Sequence, residues 1–251
     1  MLQTDKRKIL EDTVESWKAD KLSVALVPTM GALHAGHLSL IELALEKADR
    51  CVVSIFVNPT QFAPHEDFDS YPRDLEDDLR KLEQKGVHLV YTPDEAEMYP
   101  DGKESDINAG KAAEGLETDF RPHFFDGVVN VVSRLFDHVQ PDIAIFGEKD
   151  FQQLQVINEM VADQSLPIEI IGAPIARDEH GLALSSRNAY LSVEELAIAR
   201  KLNVILRESD NPEEDLLEAG FDKVDYVSER WSRRLAAAWI GSTRLIDNIL
   251  T

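Results

Sequence analysis

A chain of 251 residues with 43 % hydrophobic and 29 % charged positions, 12 Gly and 11 Pro, can bury one large core or a large and a small one; collagen-like and wholly disordered readings are excluded. Forty-seven Asp and Glu against 26 Lys and Arg give a formal net charge of −21, which repels a polyphosphate backbone and argues against a nucleic-acid partner. No apolar run approaches the ~20 residues of a bilayer span, the N-terminal stretch lacks the apolar centre of a signal peptide, and the single Cys51 can form neither an internal disulfide nor a thiolate zinc cage, so no membrane and a cytoplasmic location are expected.

In chain order, residues 22–28 (LSVALVP) read as a strand, followed by a helix with Leu38, Ile41, Leu45 and Ala48 on one face. Residues 51–57 (CVVSIFV) form a second strand that stops at Asn58-Pro59, and 60–73 read as loop. Leu75, Leu79 and Leu82 mark a helix closed by Gly86, and 87–91 a third strand. The stretch 93–121 is polar and aperiodic. A helix over 127–139, a strand over 142–146, a helix over 151–162 and a strand over 168–171 complete the alternation. Strands alternating with amphipathic helices predict an α/β, Rossmann-like parallel sheet over residues 1–173. Beyond Pro174 a helix over 193–206, an acidic stretch at 208–218 read as solvated helix face or linker, and short segments at 224–227 and 235–240 predict a smaller α+β domain over 174–251.

In open α/β sheets ligands bind beyond the carboxyl ends of the strands. After the first strand comes PTMGALHAGH, opening a helix whose free N–H groups favour an anion; His34 and His37, three apart, fall on one helix face, and Gly36 removes a side chain that would block a ligand. Nucleotide binding is favoured over a zinc site or two surface histidines, because no third metal ligand follows. Asn58 and Gln61, after the second strand, suit hydroxyl and carboxylate recognition, though an Asn-Pro turn with a solvent-facing Gln is the commoner explanation of such a pair. Lys149, in Gly147-Glu148-Lys149-Asp150, is a cation at a helix start, which a polyphosphate would make favourable; an ion pair with Asp150 is the alternative. Ser185, Ser186 and Arg187 form a phosphate clamp or a helix cap.

VPTMGALHAGH, FVNPTQF, Tyr71-Pro72-Arg73, FGEKDFQQL, LALSSRN and the terminal RLIDNI together resemble the pantoate–β-alanine ligase (pantothenate synthetase) family, in its motif order and over nearly the whole chain. The resemblance implies an HxGH nucleotidyltransferase fold with a C-terminal lid domain and a homodimer. It implies that ATP adenylates the carboxylate of pantoate, releasing pyrophosphate, and that the amine of β-alanine then displaces AMP. By resemblance Met30, Gly31, Ala32, Leu33, His34, Ala35, Gly36 and His37 hold ATP, together with Gly147, Glu148, Lys149, Asp150, Ala176, Leu184, Ser185, Ser186 and Arg187. Gln61 and Gln153 hold pantoate, with Asn58 beside them, and Gln61 also serves β-alanine. His37 is the implied proton donor; His34, Lys149, Ser185, Ser186 and Arg187 stabilise developing charge. Magnesium accompanies ATP, and Asp77 and Asp78 match an aspartate pair that could approach it. Two departures stand out: the loop from Glu114-Gly115 to Arg121-Pro122-His123-Phe124-Phe125 is altered, and the stretch between Asp225 and Ile240 is compressed, which implies a shortened lid. The competing readings are another HxGH adenylate-former such as an aminoacyl-tRNA synthetase, which the acidic charge disfavours, and a nucleotide-binding regulator without turnover.

Overall fold

The computed structural model describes residues 1–63, 66 and 68–251; within the loop expected over 60–73, Pro64, His65 and Asp67 lie outside the described residues. The chain divides into two compact units. The first comprises Met1–Leu33, His37–Gly147 and Gln152–Ala173; the second comprises His34–Gly36, Glu148–Phe151 and Pro174–Thr251.

The first unit is built on a six-stranded parallel sheet: β1 (Leu2–Thr4), β2 (Val24–Thr29), β3 (Arg50–Ile55), β4 (Leu89–Tyr91), β5 (Ile143–Gly147) and β6 (Glu169–Ala173). The spatial order is β1-β4-β3-β2-β5-β6, and every neighbouring pair is parallel. One strand more than expected is present. β1 is invisible to periodicity because it has three residues, pairs only with β4 and leaves Leu2 exposed. The helix that follows it, α1 (Arg7–Ala19), buries Leu10 and Val14, four apart.

Between the strands run α2 (Ala35–Lys47), α3 (Leu75–Lys85), the short α4 (Glu95–Met98) and α5 (Glu117–Phe120), α6 (Phe124–Val139) and α7 (Phe151–Asp163). Asp74 caps α3 through Asp77 N, and Gly86 closes it at φ +80°. The core of this unit joins Val27, Val53, Val90 and Ile145 of the sheet to Ile41 and Leu82 of the helices, all buried. Burying four β-branched strand residues of this kind is the apolar drive that closes a parallel sheet under its helices.

The segment expected as aperiodic loop over 93–121 is held by polar side chains. Gln152, 3 % exposed, accepts Glu117 N at 3.0 Å and donates to the carbonyls of Ala112 and Gly115 at 3.1 Å each. Glu159 accepts the N–H groups of Lys111 and Ala112 at 3.0 and 2.6 Å. Arg121 forks onto Glu66 at 2.6 and 2.9 Å and lies 3.8 Å over the ring of Phe124. Side-chain clamps of this kind carry no periodic signal, which is why the order of this segment is not legible in the sequence.

In the second unit α8 (Val193–Ala199), α9 (Lys201–Glu208) and α10 (Pro212–Glu218) cover an antiparallel sheet of β7 (Lys223–Arg230), β8 (Arg233–Ile240) and β9 (Thr243–Leu250). The single helix expected over 193–206 is two helices meeting at Arg200, whose guanidinium bonds the carboxylate of Asp178 at 3.0 Å. Part of the acidic stretch 208–218 is α10 rather than linker: Pro212 starts it, Glu213, Glu214 and Asp215 fill the first turn where the dipole favours them, and Leu216 is fully buried. The compressed stretch after Asp225 is a hairpin. A bulge interrupts β7 between Val224 and Tyr226, and Trp231 and Ser232, at φ 54° and 55°, make the two-residue turn.

Candidate active site

β2 is the point where strand order reverses, with β3 and β4 on one side and β5 and β6 on the other, so a ligand crevice belongs at its carboxyl end. The residues there are Met30, Gly31, Ala32 and Leu33. Ala32 holds a left-handed backbone, φ 50°, which disfavours any residue with a Cβ. Asp78, 2 % exposed on α3, fixes it: its carboxylate accepts Ala32 N at 2.8 Å and Leu33 N at 2.7 Å. Burial pushes this carboxyl above its ordinary pKa against the pull of the Leu33 and Ala32 N–H groups. Lys81 donates to the carbonyl of Leu33 at 2.6 Å and pairs with Asp77 at 2.6 Å. The Asp77 carboxyl, bonded to Lys81 and Arg80, is held below the ordinary carboxylate range.

One expectation is narrowed here. The N–H groups of Gly31, Ala32 and Leu33, ahead of the helix, are engaged within the chain: Thr29 Oγ1 takes the first at 3.3 Å and Asp78 takes the other two. The expectation that both Asp77 and Asp78 approach magnesium is narrowed: Asp78, 2 % exposed, spends both oxygens on the loop backbone, while Asp77 pairs with Lys81 and Arg80. Among the described residues no group of three or more His, Cys, Asp or Glu is placed to hold a metal.

Beyond β3, Asn58 caps the 3₁₀ turn Pro59–Gln61. The expectation that Asn58 contacts substrate is also corrected. It is 1 % exposed; its amide donates to Gln61 Oε1 and to the carbonyl of Gly127, both at 3.1 Å, while its Oδ1 accepts Tyr99 OH at 2.7 Å and Thr60 N at 3.2 Å. Both donors are consumed, so Asn58 positions Gln61 instead. Gly127 has to be glycine, since a Cβ there would meet the Thr60 carbonyl oxygen at 2.4 Å; its absence lets α6 seat directly beneath the turn. Gln61 also donates to Met30 Sδ at 3.0 Å, leaving a second N–H and a carbonyl lone pair for a polar ligand. Half-buried Gln153 sits on α7. Half-buried His37 sits in the first turn of α2, and Gly147 ends β5.

The second unit carries the remaining candidates, drawn from three stretches of chain. His34 precedes α2 and bends back onto it, its Nδ1 accepting Gly36 N at 3.1 Å, so it acts as a cap and does not project from a shared face as the spacing predicts. With Nδ1 as acceptor, a neutral His34 bears its proton on Nε2. Gly36 leaves room for this ring more than for a ligand: a Cβ would lie 2.8 Å from His34 Cε1, 3.0 Å from its Nδ1 and 3.6 Å from Leu184 Cβ. Ala35 lies between them. Ala176 and Leu184 pair across a hairpin through Leu184 N to Ala176 O, 2.9 Å. Ser185 then caps the 3₁₀ turn Ser186–Tyr190 by accepting Arg187 N at 3.3 Å, with Ser186 and Arg187 half-buried.

Glu148, Lys149 and Asp150 form a 3₁₀ turn ahead of α7. The Lys149 ammonium is 3.9 Å from Asp150 with a side chain 20 % exposed. Sequence reasoning misses what holds this turn, although RLIDNI contains one of the residues involved, Asn248. Asn248 Nδ2 donates to the carbonyls of Glu148 and Lys149 at 2.9 and 3.0 Å. Arg233 reaches Glu148 Oε2 at 2.6 Å and Asn248 Oδ1 at 2.7 Å. Asp247, 3 % exposed, takes both arms of Arg177 at 2.6 and 2.9 Å. A strand motif of alternating burial conceals such polar partners, because only the three-dimensional pairing shows what they satisfy.

Among solved structures, pantothenate synthetase from Thermus thermophilus superposes with a TM-score of 0.90 at 38 % identity, covering 100 % of this chain and 99 % of that one. Pantoate-beta-alanine ligase from Francisella tularensis, complexed with beta-gamma ATP and beta-alanine, gives 0.93 at 37 % identity, covering 100 % and 97 %. The pantothenate synthetase of Mesorhizobium japonicum is 53 % identical over 266 residues, 96 % of this chain and 94 % of that protein. That of Rhodospirillum rubrum is 50 % identical over 268 residues, 96 % and 95 %. The pantoate-beta-alanine ligase family profile matches residues 3–250, and the chain belongs to that family.

Proposed function

We propose that this protein condenses pantoate with β-alanine at the expense of ATP, through a pantoyl adenylate, releasing pyrophosphate and AMP. The family match across residues 3–250 carries the reading, and the related Francisella tularensis structure was solved with beta-gamma ATP and beta-alanine. In the first step a pantoate carboxylate oxygen attacks the α-phosphorus and the bond to pyrophosphate breaks. In the second the β-alanine amine attacks the acyl carbon, the acyl–phosphate C–O bond breaks, and a proton leaves the nitrogen. Neither step needs an enzyme nucleophile, so the protein's contribution is positioning and charge stabilisation.

His34 Nε2–H, fixed by the bond from Gly36 N to Nδ1, donates to the nucleotide phosphates. His37 and Lys149 neutralise charge on the α-phosphate and the departing pyrophosphate, and His37 supplies a proton. Ser185, Ser186 and Arg187 bind phosphate oxygens, while the stretch from Met30 to Leu33 and the residues Ala35, Gly36, Gly147, Glu148, Asp150, Ala176 and Leu184 shape the nucleotide site. Gln61 and Gln153 hydrogen-bond pantoate, and Gln61 also receives β-alanine. Magnesium arrives with ATP as the substrate's counter-ion. The enzyme acts as a cytoplasmic homodimer; among the described residues no helix is long and apolar enough to cross a membrane.

The test is a product balance. Purified protein given ATP, magnesium, pantoate and β-alanine yields AMP and pantothenate in equal amounts, and none of either when pantoate is omitted. Amide formation on a different carboxylate, or AMP release independent of pantoate, overturns the assignment.

A further inference from the structure

The terminal strand β9 places Asn248 against the turn that carries Lys149. Asn248 is 1 % exposed, and its one amide nitrogen holds two consecutive carbonyls, those of Glu148 at 2.9 Å and Lys149 at 3.0 Å. A backbone carbonyl pair pinned by one donor cannot rotate independently, so the Lys149 peptide is fixed in direction as well as position. Arg233 on β8 completes the arrangement. It is 7 % exposed, orients Asn248 through Oδ1 at 2.7 Å, binds Glu148 Oε2 at 2.6 Å and lies 4.2 Å over the ring of Phe151. Glu148 and Phe151 bracket Lys149, so both ends of the turn are tied to the same guanidinium. Neither Arg233 nor Asn248 is needed for the sheet to pair; ladder bonds are backbone to backbone, and a buried strand position takes an apolar residue at less desolvation cost than a polar one that must be satisfied by partners outside the strand.

We infer that Asn248 and Arg233 are positioning residues for adenylation, acting through the turn 148–151 to aim the Lys149 ammonium. The inference rests on the role proposed above for Lys149. A cation that stabilises a transition state is effective only in a narrow geometry, and displacement by about 1 Å costs on the order of 10² in rate. Asn248→Ala frees both carbonyls, and Arg233→Met removes the ion pair while keeping an aliphatic stem on Phe151; each is expected to slow adenylation about 10–10²-fold.

The deciding experiment is a double-mutant cycle on pantoate-dependent ATP–pyrophosphate exchange at saturating ATP and pantoate. Asn248→Ala, Lys149→Ala and the combined variant are compared, with folding checked by circular dichroism. Lys149→Ala alone is expected to lose about 10²–10³, and adding Asn248→Ala should change that rate by less than about two-fold, because there is no ammonium left to aim. A purely structural role would instead multiply the two losses, and that result overturns the proposal. If Asn248→Ala fails to fold, Arg233→Met carries the same cycle with the same outcomes. A Lys149→Ala enzyme with wild-type exchange would overturn the reading of Lys149 itself, a failure distinct from additivity.

Discussion

Asp78→Asn separates the two roles open to this carboxylate. In the structure its two oxygens accept Leu33 N at 2.7 Å and Ala32 N at 2.8 Å, and Ala32 sits at φ 50°. The isosteric amide keeps one acceptor and points an NH₂ at the second N–H. One charge-assisted bond is lost and a buried backbone donor is left unsatisfied; relief of the buried charge, which raises the Asp78 pKa, offsets part of this. The net cost should be about 1–3 kcal/mol of stability. The loop from Gly31 to Leu33 then relaxes from its left-handed turn, and adenylation falls about 10–10²-fold with it. Urea unfolding gives the stability change, and pyrophosphate exchange measured over a range of magnesium gives the rate. An anchor predicts the same fractional loss at every magnesium concentration. A loss abolished by high magnesium, with stability unchanged, would show that Asp78 binds the ion and refute the reasoning.

Gly36→Ala should lower the exchange rate about 10²-fold in a folded enzyme, because the new Cβ, 2.8 Å from His34 Cε1, drives the imidazole off its cap; wild-type turnover would make the capped pose irrelevant. Gln61→Ala should raise the KM for pantoate more than that for ATP, since a polar substrate then leaves its own groups unpaired, whereas equal increases would indicate a loosened turn. His138, 3 % exposed and bonded through Nδ1 to Tyr91 OH at 3.1 Å, has its pKa lowered to about 4 by burial, with Arg7 adding to the shift. The folded state keeps it neutral while the unfolded chain takes up a proton near pH 6.5, so its contribution is intact above pH 6.5 and about 3 kcal/mol is lost as pH falls to about 4. His138→Phe should flatten that part of the stability profile, and an unchanged acid slope would contradict the assignment.

The parallel sheet is legible because its strands are apolar, β-branched runs bounded by Pro, Asn or Gly, and the helices between them repeat Leu and Ile at 3.6-residue spacing. β1 escapes because its three residues bury only Thr4 and so lack the apolar run that marks the equally short β4, and β9 because its buried positions include Asp247 and Asn248, which read as surface until their partners are seen. The residues of HAGH stand out in the sequence by type and place, but not their local packing: nothing in the spacing says that His34 caps its own helix or that Gly36 makes room for it. Asn58 and Asp78 show the same limit from the other side. A polar residue after a strand advertises donors and acceptors, and only the fold reveals that they are already consumed by Tyr99, Gly127, Ala32 and Leu33.

Isotope exchange between pyrophosphate and ATP tests the central claim most directly, because it isolates the first bond change from amide formation. With magnesium and pantoate present and β-alanine absent, label should pass from pyrophosphate into ATP, and omission of pantoate should stop it. Exchange that proceeds without pantoate, or that appears only when β-alanine is added, would contradict an adenylate formed on pantoate before the amine reacts.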